Sequence, residues 1–93
     1  MNITEIKVRK IFTEGNVLAL VSISIDGEFA IHDIKVIRGA ERVFVAMPSR
    51  KGTDGVFRDI AHPISAVTRK EIETQILEEY NRCLAEQEIS ADE

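Results

Sequence analysis

The sequence predicts an α+β domain: an antiparallel β-meander sheet with one C-terminal amphipathic helix packed on it. Apolar residues alternate with a period of two through the first half of the chain, and they recur with a period close to four beyond residue 67. Short turns separate the strand segments, and such turns join antiparallel neighbours because parallel strands need long crossovers. The chain has 93 residues, which is the size of one domain.

Four strands are predicted before Pro48, over residues 3–12, 17–25, 29–37 and 43–47. The segment 17–25 is the clearest, since every odd position is apolar and its later even positions are serine. The Asp26–Gly27 pair that follows is typical of a tight hairpin turn. Pro48 ends the fourth strand because proline has no N–H to donate to a ladder. Residues 56–60 leave room for one or two short additional strands.

Apolar side chains later recur at steps of four, at Ile72, Ile76, Tyr80 and Leu84. This stripe predicts an amphipathic helix over residues 68–86. Thr68 and Glu71 have the spacing of a capping box, and Ser65 is a competing N-cap.

Charge is distributed unevenly along the chain, whose net charge is −4. Residues 38–70 carry seven basic and three acidic side chains, whereas residues 71–93 carry one basic and eight acidic side chains. A basic middle third is typical of a local anion-binding surface. Residues 88–93 are acidic and lack periodicity, so we expect one domain over residues 1–87 followed by an acidic, frayed tail.

The composition predicts a cytoplasmic protein. Cys83 is the single cysteine, which excludes an intramolecular disulfide and a four-cysteine zinc site. No run approaches the roughly 20 apolar residues of a membrane span. The first ten residues lack the apolar segment of a signal peptide. We therefore expect no membrane partner.

No set of residues predicts catalysis, a cofactor or a metal. His32 is expected to share a strand face with Ile34 and Val36, as a core or interface residue rather than a base. His62 precedes Pro63 and is expected either to clamp the loop or to donate a hydrogen bond. Neither histidine belongs to a His-x-x-x-His or Cys-x-x-Cys pair. We expect a protein that is not an enzyme and that carries no catalytic residue, cofactor or metal ion.

The segment FVAMPSRKGTDGVFRDIAHPI, residues 44–64, contains adjacent cations, two glycines and two prolines. The glycines permit a tight turn that would hold Arg50 and Lys51 at an exposed tip. The apolar members Val56, Phe57 and Ile60 are expected to pin the segment to the core. Phe57→Ala should then lower stability by about 3–5 kcal/mol.

The candidate nucleic-acid-binding residues are five cations: Arg50, Lys51, Arg58, Arg69 and Lys70. Cations near a helix start oppose its macrodipole by about 0.3–1 kcal/mol each, which favours a second role for them, such as contacting phosphate. The alternative is that all five only keep the region soluble, with Arg58 paired to Asp54 or Asp59. The residues alone leave both interpretations open.

Several stretches together resemble the stage V sporulation protein G (SpoVG) family: HDIKVI, VFVAMPS with its following basic pair, DGVFRDIAHPI, and EEY late in the helix. The likeness runs from Met1 to about Tyr80. It implies a small bacterial α+β protein that forms homodimers and is linked to septation during sporulation. It also implies a regulator that binds DNA, and in some relatives RNA. The family's basic positions correspond here to Arg50, Lys51, Arg58, Arg69 and Lys70.

This chain departs from the resemblance at the tip of the segment. Residues 52–55 read Gly-Thr-Asp-Gly where the family commonly has Thr-Pro-Asp-Gly. Loss of the proline predicts a more mobile tip, so ordering it on binding would cost more free energy.

The leading hypothesis from the sequence is a homodimeric regulator that binds DNA or RNA and is linked to septation, sporulation and gene expression. The alternative is a protein–protein adaptor in the cell division or septation pathway, whose partners are division or sporulation proteins and which makes no nucleic-acid contact. An apolar patch left uncovered by the dimer would favour the adaptor. A small-molecule enzyme is the weakest hypothesis, given the residue types available.

Overall fold

The structure, a computed structural model, describes residues 2–91 and the side chains as far as Glu86. One antiparallel sheet contains, in spatial order, β1 (Ile3–Ile11), β2 (Val17–Ile25), β3 (Phe29–Arg38) and β4 (Val43–Ala46). A separate two-stranded ribbon contains β5 (Ser49–Lys51) and β6 (Phe57–Asp59), and α1 (Ala66–Ala91) follows it. The predicted α+β meander with a C-terminal helix is confirmed.

The hydrophobic core lies between α1 and one face of the four-stranded sheet. The helix contributes Ile72, Ile76 and Tyr80, all of which are buried. The two central strands contribute Ala19, Val21, Ile23, Ile34 and Val36. Burying a large aliphatic side chain contributes about 1.5–3 kcal/mol relative to leaving it exposed. The predicted helical stripe is therefore the surface that holds α1 on the sheet.

Ser65 is the N-cap of α1. Its hydroxyl oxygen accepts a hydrogen bond from the backbone N–H of Thr68 at 3.1 Å. The helix begins at the next residue, Ala66. The alternative capping box that starts at Thr68 is wrong, because Thr68 lies inside the first helical turn.

The helix is longer than predicted at its C-terminal end. Its backbone stays helical through Ala91, so residues 88–91, predicted as part of the frayed tail, continue the helix. Alanine, glutamate and glutamine are good helix formers, which explains a helical backbone beyond the apolar stripe. Residues 92 and 93 lie outside the described part of the chain. The domain limit at residue 87 stays a prediction.

One extra residue in β3 changes which of its side chains face the core. The register on either side of it is Val21 with Ile34 and Ile23 with Ile31. Within this bulge Asp33 has a φ of +62°. His32 is exposed on the face of the sheet opposite α1, where it contacts Ser22, instead of sharing the core face with Ile34 and Val36. The predicted placement of His32 is wrong because strict alternation does not continue through a bulge.

The β5–β6 ribbon occupies the place of the predicted loop. The backbone N–H of Ile60 donates to the carbonyl oxygen of Pro48 at 2.7 Å, which closes the base of the ribbon. The ribbon stands apart from the four-stranded sheet, so its apolar side chains have no core beneath them. Phe57 is 65 % exposed, and Val56 and Ile60 are exposed as well. The prediction that these three side chains pin the segment to the core is wrong.

Candidate nucleic-acid interface

The β5–β6 ribbon positions three of the five predicted cations. Arg50 and Arg58 lie directly opposite each other across the ribbon. Two backbone hydrogen bonds close the turn, from Gly52 N–H to Val56 O at 2.9 Å and from Gly55 N–H to Gly52 O at 3.0 Å. Gly55 has a φ of +83°, a conformation that glycine adopts without strain. Like charges opposite each other destabilise a strand pair, so the ribbon needs a counter-charge.

Asp54 provides that counter-charge. Arg58 donates two hydrogen bonds to it, Nη1 to Oδ1 at 3.2 Å and Nη2 to Oδ2 at 2.7 Å. The Arg58 guanidinium, followed by the Val56 N–H that donates to Oδ1, holds the pKa of Asp54 below its ordinary value. The carboxylate in turn raises the pKa of Arg58. Of the two partners considered for Arg58, the structure selects Asp54.

The Arg58–Asp54 pair stays accessible to water and to ligands. The side chains are 62 % and 52 % exposed respectively, and exposed pairs contribute little net free energy because water screens them. A phosphate could therefore replace Asp54 on Arg58 without a large loss.

Gly52 provides the space in which this pair forms. A Cβ atom at residue 52 would lie 2.8 Å from Arg58 Nη1 and 2.9 Å from Asp54 Oδ1. Both distances are shorter than van der Waals contact. The glycine at this position is thus explained by a close approach of side chains rather than by an unusual backbone angle.

Arg50 and Lys51 are the ribbon cations without a carboxylate partner among the residues that the structure describes. Both are exposed. Together with Arg58 they line a shallow groove of about 350 Å³, whose other walls are Gly52, Thr53, Asp59 and Ile60. The structure thus brings Arg50, Lys51 and Arg58 to one concave surface.

Arg69 and Lys70 are exposed on α1 and do not line that groove. Arg69 borders a small cleft between β4 and the helix, next to Val45 and Met47. Lys70 borders a different shallow depression on the helix surface, formed with Val67 and its helical neighbours. The predicted five-residue site is therefore divided between the ribbon and the helix in this chain.

An apolar surface near the start of α1 was not anticipated from the sequence. Ile64 and Val67, which flank the helix start in sequence, are 95 % and 79 % exposed, and Phe29 is also largely exposed beside Ile25 at the β2–β3 hairpin. A cavity of about 130 Å³ lies at this end of the molecule, lined by Ile25, Ile31, Met47, Ala61, His62, Pro63, Thr68 and Ile72. No periodic pattern marks this surface, because Ile64 lies in a loop and Phe29 stands at the first position of a strand.

Two other kinds of site find no support in the described residues. Between residues 2 and 91 no group of three or more His, Cys, Asp or Glu side chains is arranged to hold a metal ion. Nor does any helix in that range have both the length and the apolar character of a membrane span.

The fold and the surface define a small α+β protein that presents a cationic two-stranded ribbon beside its sheet. Sequence comparison identifies the family. The chain belongs to the SpoVG family, whose model matches residues 1–82.

Individual relatives match over nearly the whole chain. A protein of Clostridium acetobutylicum is 50 % identical over 92 residues, which cover 99 % of this chain and 97 % of the relative. A protein of Agathobacter rectalis is 58 % identical over 80 residues, covering 86 % and 92 % of the two chains. A protein of Lachnoclostridium phytofermentans is 50 % identical over 93 residues, covering both chains completely. Each of the three is named "Putative septation protein SpoVG".

Proposed function

We propose that this chain is a homodimeric regulator that binds DNA or RNA through the β5–β6 ribbon. The observation that carries the proposal is the pair Arg50 and Lys51, which lie exposed on the wall of a groove and have no carboxylate partner in the part of the chain that the structure describes. Cations in this setting are available to phosphate, and phosphate contacts supply essentially all of the sequence-independent affinity of nucleic-acid-binding proteins. The relatives are named as septation proteins, which supports a role of this regulator in septation.

The two-stranded form of the ribbon supports duplex DNA as one ligand. The major groove of B-DNA is about 12 Å wide and admits a two-stranded β-ribbon. β5 and β6 form such a ribbon, free of the larger sheet, with its cations on exposed strands. Phosphate contacts from Arg50 and Lys51 would position the ribbon on the duplex.

The exposed apolar surface supports the homodimer. Ile64, Val67 and Phe29 expose large apolar side chains, and exposed apolar area of this kind marks interaction surfaces, of which a two-fold contact with a second copy is the commonest in homo-oligomers. Pairing two subunits would bring two sets of ribbon cations to one ligand, which raises the local positive potential although each chain has a net charge of −4.

The binding proposal is tested by replacing Arg50 and Lys51 together with glutamine. The double variant should bind a duplex DNA oligonucleotide more weakly in a gel-shift titration at low salt. If each cation contacts one phosphate, the slope of log K against log salt should fall in magnitude by about 1.8 when one ribbon of the dimer is engaged and by about 3.6 when both are. A parallel titration with RNA of the same sequence tells which nucleic acid the ribbon prefers.

The matched control is Arg38→Gln with Arg82→Gln, which removes the same charge away from the ribbon. This control should retain most of the wild-type affinity. Equal affinity of the ribbon variant and the wild-type protein would remove the binding assignment.

A protein–protein adaptor in the division pathway is the second candidate function. The exposed side chains of Val56, Phe57 and Ile60 favour it, because they offer apolar contact area on the ribbon itself. Capture of a division protein that persists after nuclease treatment and at high salt, and that Phe57→Ser abolishes, would support the adaptor over the regulator.

A further inference from the structure

The four-stranded sheet has an open face on the side opposite α1, and this face is rich in cations. Lys10, Leu20 and Lys35 lie side by side across β1, β2 and β3. Lys7 lies beside Ser22 one row further along the same face. The three lysines are exposed and form no ion pair within the described part of the chain.

Ser22 joins two further side chains on this face. Its hydroxyl oxygen lies 3.2 Å from Arg9 Nε and 2.8 Å from His32 Nδ1. Ser22 itself is only 7 % exposed, so it is a buried anchor beneath two exposed side chains. The β3 bulge, which moves His32 to the open face, is what allows this contact.

The hydrogen bonds among Arg9, Ser22 and His32 leave N–H groups of Arg9 and His32 free to donate to a ligand. Arg9 Nε can only donate, so the Ser22 oxygen accepts from it, and the Ser22 hydroxyl can then donate to His32 Nδ1. In this arrangement the Ser22 hydroxyl both accepts and donates a hydrogen bond, and the N–H of the His32 imidazole is at Nε2. The terminal guanidinium N–H groups of Arg9 and the Nε2–H of His32 have no partner among the described residues. A surface that offers donors and cations is complementary to phosphate.

Aromatic side chains lie on the same face. Lys10 Nζ is 5.0 Å from the centre of the Phe12 ring, which places Phe12 beside the lysine row. Phe44 pairs with Ile37 on the outer strand, in the register alternate to the buried Val36–Val45 pair. Both phenylalanines are half-buried, so part of each ring is accessible. Aromatic side chains and cations on a four-stranded sheet are the combination on which unstacked bases and a single-strand backbone bind.

The acidic residues near this face leave its cationic rows uninterrupted. Glu5 lies opposite Ser24, one row beyond Lys7 toward the β2–β3 turn, and Asp33 belongs to the bulge next to His32. Neither carboxylate forms an ion pair with the cations in the described part of the chain. A second copy of the chain on this face would add a second set of the same cations to one interface, which repulsion between like charges opposes.

We propose that the open face of the sheet is a binding surface for single-stranded nucleic acid. Lys7, Arg9, Lys10, Lys35 and His32 contact its phosphates, and Phe12 and Phe44 contact its bases. A duplex fits this surface poorly. Four strands at about 4.8 Å spacing, with their side chains, are wider than the roughly 12 Å major groove, and paired bases do not expose their faces. This surface is distinct from the β5–β6 ribbon and does not depend on binding there.

The test compares two charge variants on two probes by fluorescence anisotropy at low salt. The probes are a labelled 20-nucleotide dT strand and a labelled mixed-sequence DNA duplex. The sheet variant is Lys7→Gln, Lys10→Gln and Lys35→Gln together, which leaves the Arg9–Ser22–His32 contacts in place. Its affinity for the single strand should fall by about tenfold or more, and its salt slope by about 2 in magnitude. Its affinity for the duplex should change by less than about threefold. The ribbon variant, Arg50→Gln with Lys51→Gln, should retain single-strand binding.

A chemical-shift map of the wild-type protein keeps the test decisive even if the triple variant fails to fold. Adding the dT strand should shift the amide resonances of Lys7, Ser22, His32 and Lys35. Shifts confined to residues 49–59 would overturn the sheet proposal and leave the ribbon proposal standing. Single-strand affinity of a folded sheet variant within twofold of wild type would overturn it as well, as would a change of oligomeric mass, which would indicate that a second copy covers this face.

Discussion

Arg58 and Asp54 form a two-point ion pair across the turn of the β5–β6 ribbon, with Nη2 and Oδ2 2.7 Å apart. The pair neutralises the arginine that stands opposite Arg50. Among the residues that the structure describes, Arg50 and Lys51 are then the unpaired cations of the ribbon, and because Asp59 in β6 is also charged, residues 49–59 carry a net charge of +1.

The Arg58–Asp54 pair should open in acid. The pKa of Asp54 lies below its ordinary value of 3.8 because Arg58 and the Val56 N–H stabilise the carboxylate. A lowered pKa means that the contribution to folding is complete above the ordinary value and is lost as pH falls through the folded-state pKa. The Val56 amide resonance should therefore shift only below pH 3.8. The same acid shift in Asp54→Asn would contradict this assignment.

Gly52→Ala should separate the Arg58–Asp54 pair, because the new methyl group would lie 2.8 Å from Arg58 Nη1. The ends of both side chains can move, so the free energy of unfolding should change by less than about 1 kcal/mol. The pKa of Asp54, measured by NMR titration, should move back toward its ordinary value. Thr53→Ala is the matched control within the same turn. An unchanged Asp54 titration in Gly52→Ala would show that the turn accommodates a methyl group without moving Arg58.

Phe57→Ala should have little effect on the stability of the fold, because the ring is 65 % exposed. We expect a loss below about 1 kcal/mol, against about 2–5 kcal/mol for Ile76→Ala in the core. Urea unfolding of the two variants side by side measures the difference. Equal losses would mean that the ribbon packs against the core after all.

Ser65→Ala should destabilise the protein by about 0.5–2 kcal/mol, because the first turn of α1 loses the acceptor for the Thr68 N–H. Thr68→Ala should cost less, since Thr68 is not the cap. Thermal unfolding monitored by circular dichroism compares the two variants. A larger loss for Thr68→Ala would return the helix start to the position that its capping-box spacing suggested.

Local sequence patterns were enough for most of the fold. At the β2–β3 turn Asp26 and Gly27 both have positive φ, as an Asp-Gly pair in a tight hairpin requires. The apolar stripe of Ile72, Ile76 and Tyr80 is the buried face of α1. These features depend on residues close to one another in the chain, so local motifs and periodic patterns predict them.

The candidate site could be predicted only in part from the sequence. Arg50 and Lys51 could be recognised as exposed cations after a strand-ending proline, and the structure keeps them exposed. The choice of Asp54 over Asp59 as the partner of Arg58 could not be made, because both carboxylates are close in sequence. The separation of Arg69 and Lys70 from the ribbon groove was also hidden, since adjacency in the chain does not give position on the surface.

By itself the sequence determined the α+β class, the order of the four strands, the helix face and the identity of the family. Only the tertiary structure decided that the ribbon stands away from the core with Phe57 exposed. It also decided that a bulge at Asp33 turns His32 toward Ser22. The physical reason is that periodicity reports which side of a strand a residue occupies. An extra residue in a strand, the absence of a core beneath a ribbon and the partner of a charged side chain depend on contacts between residues that are distant in the sequence.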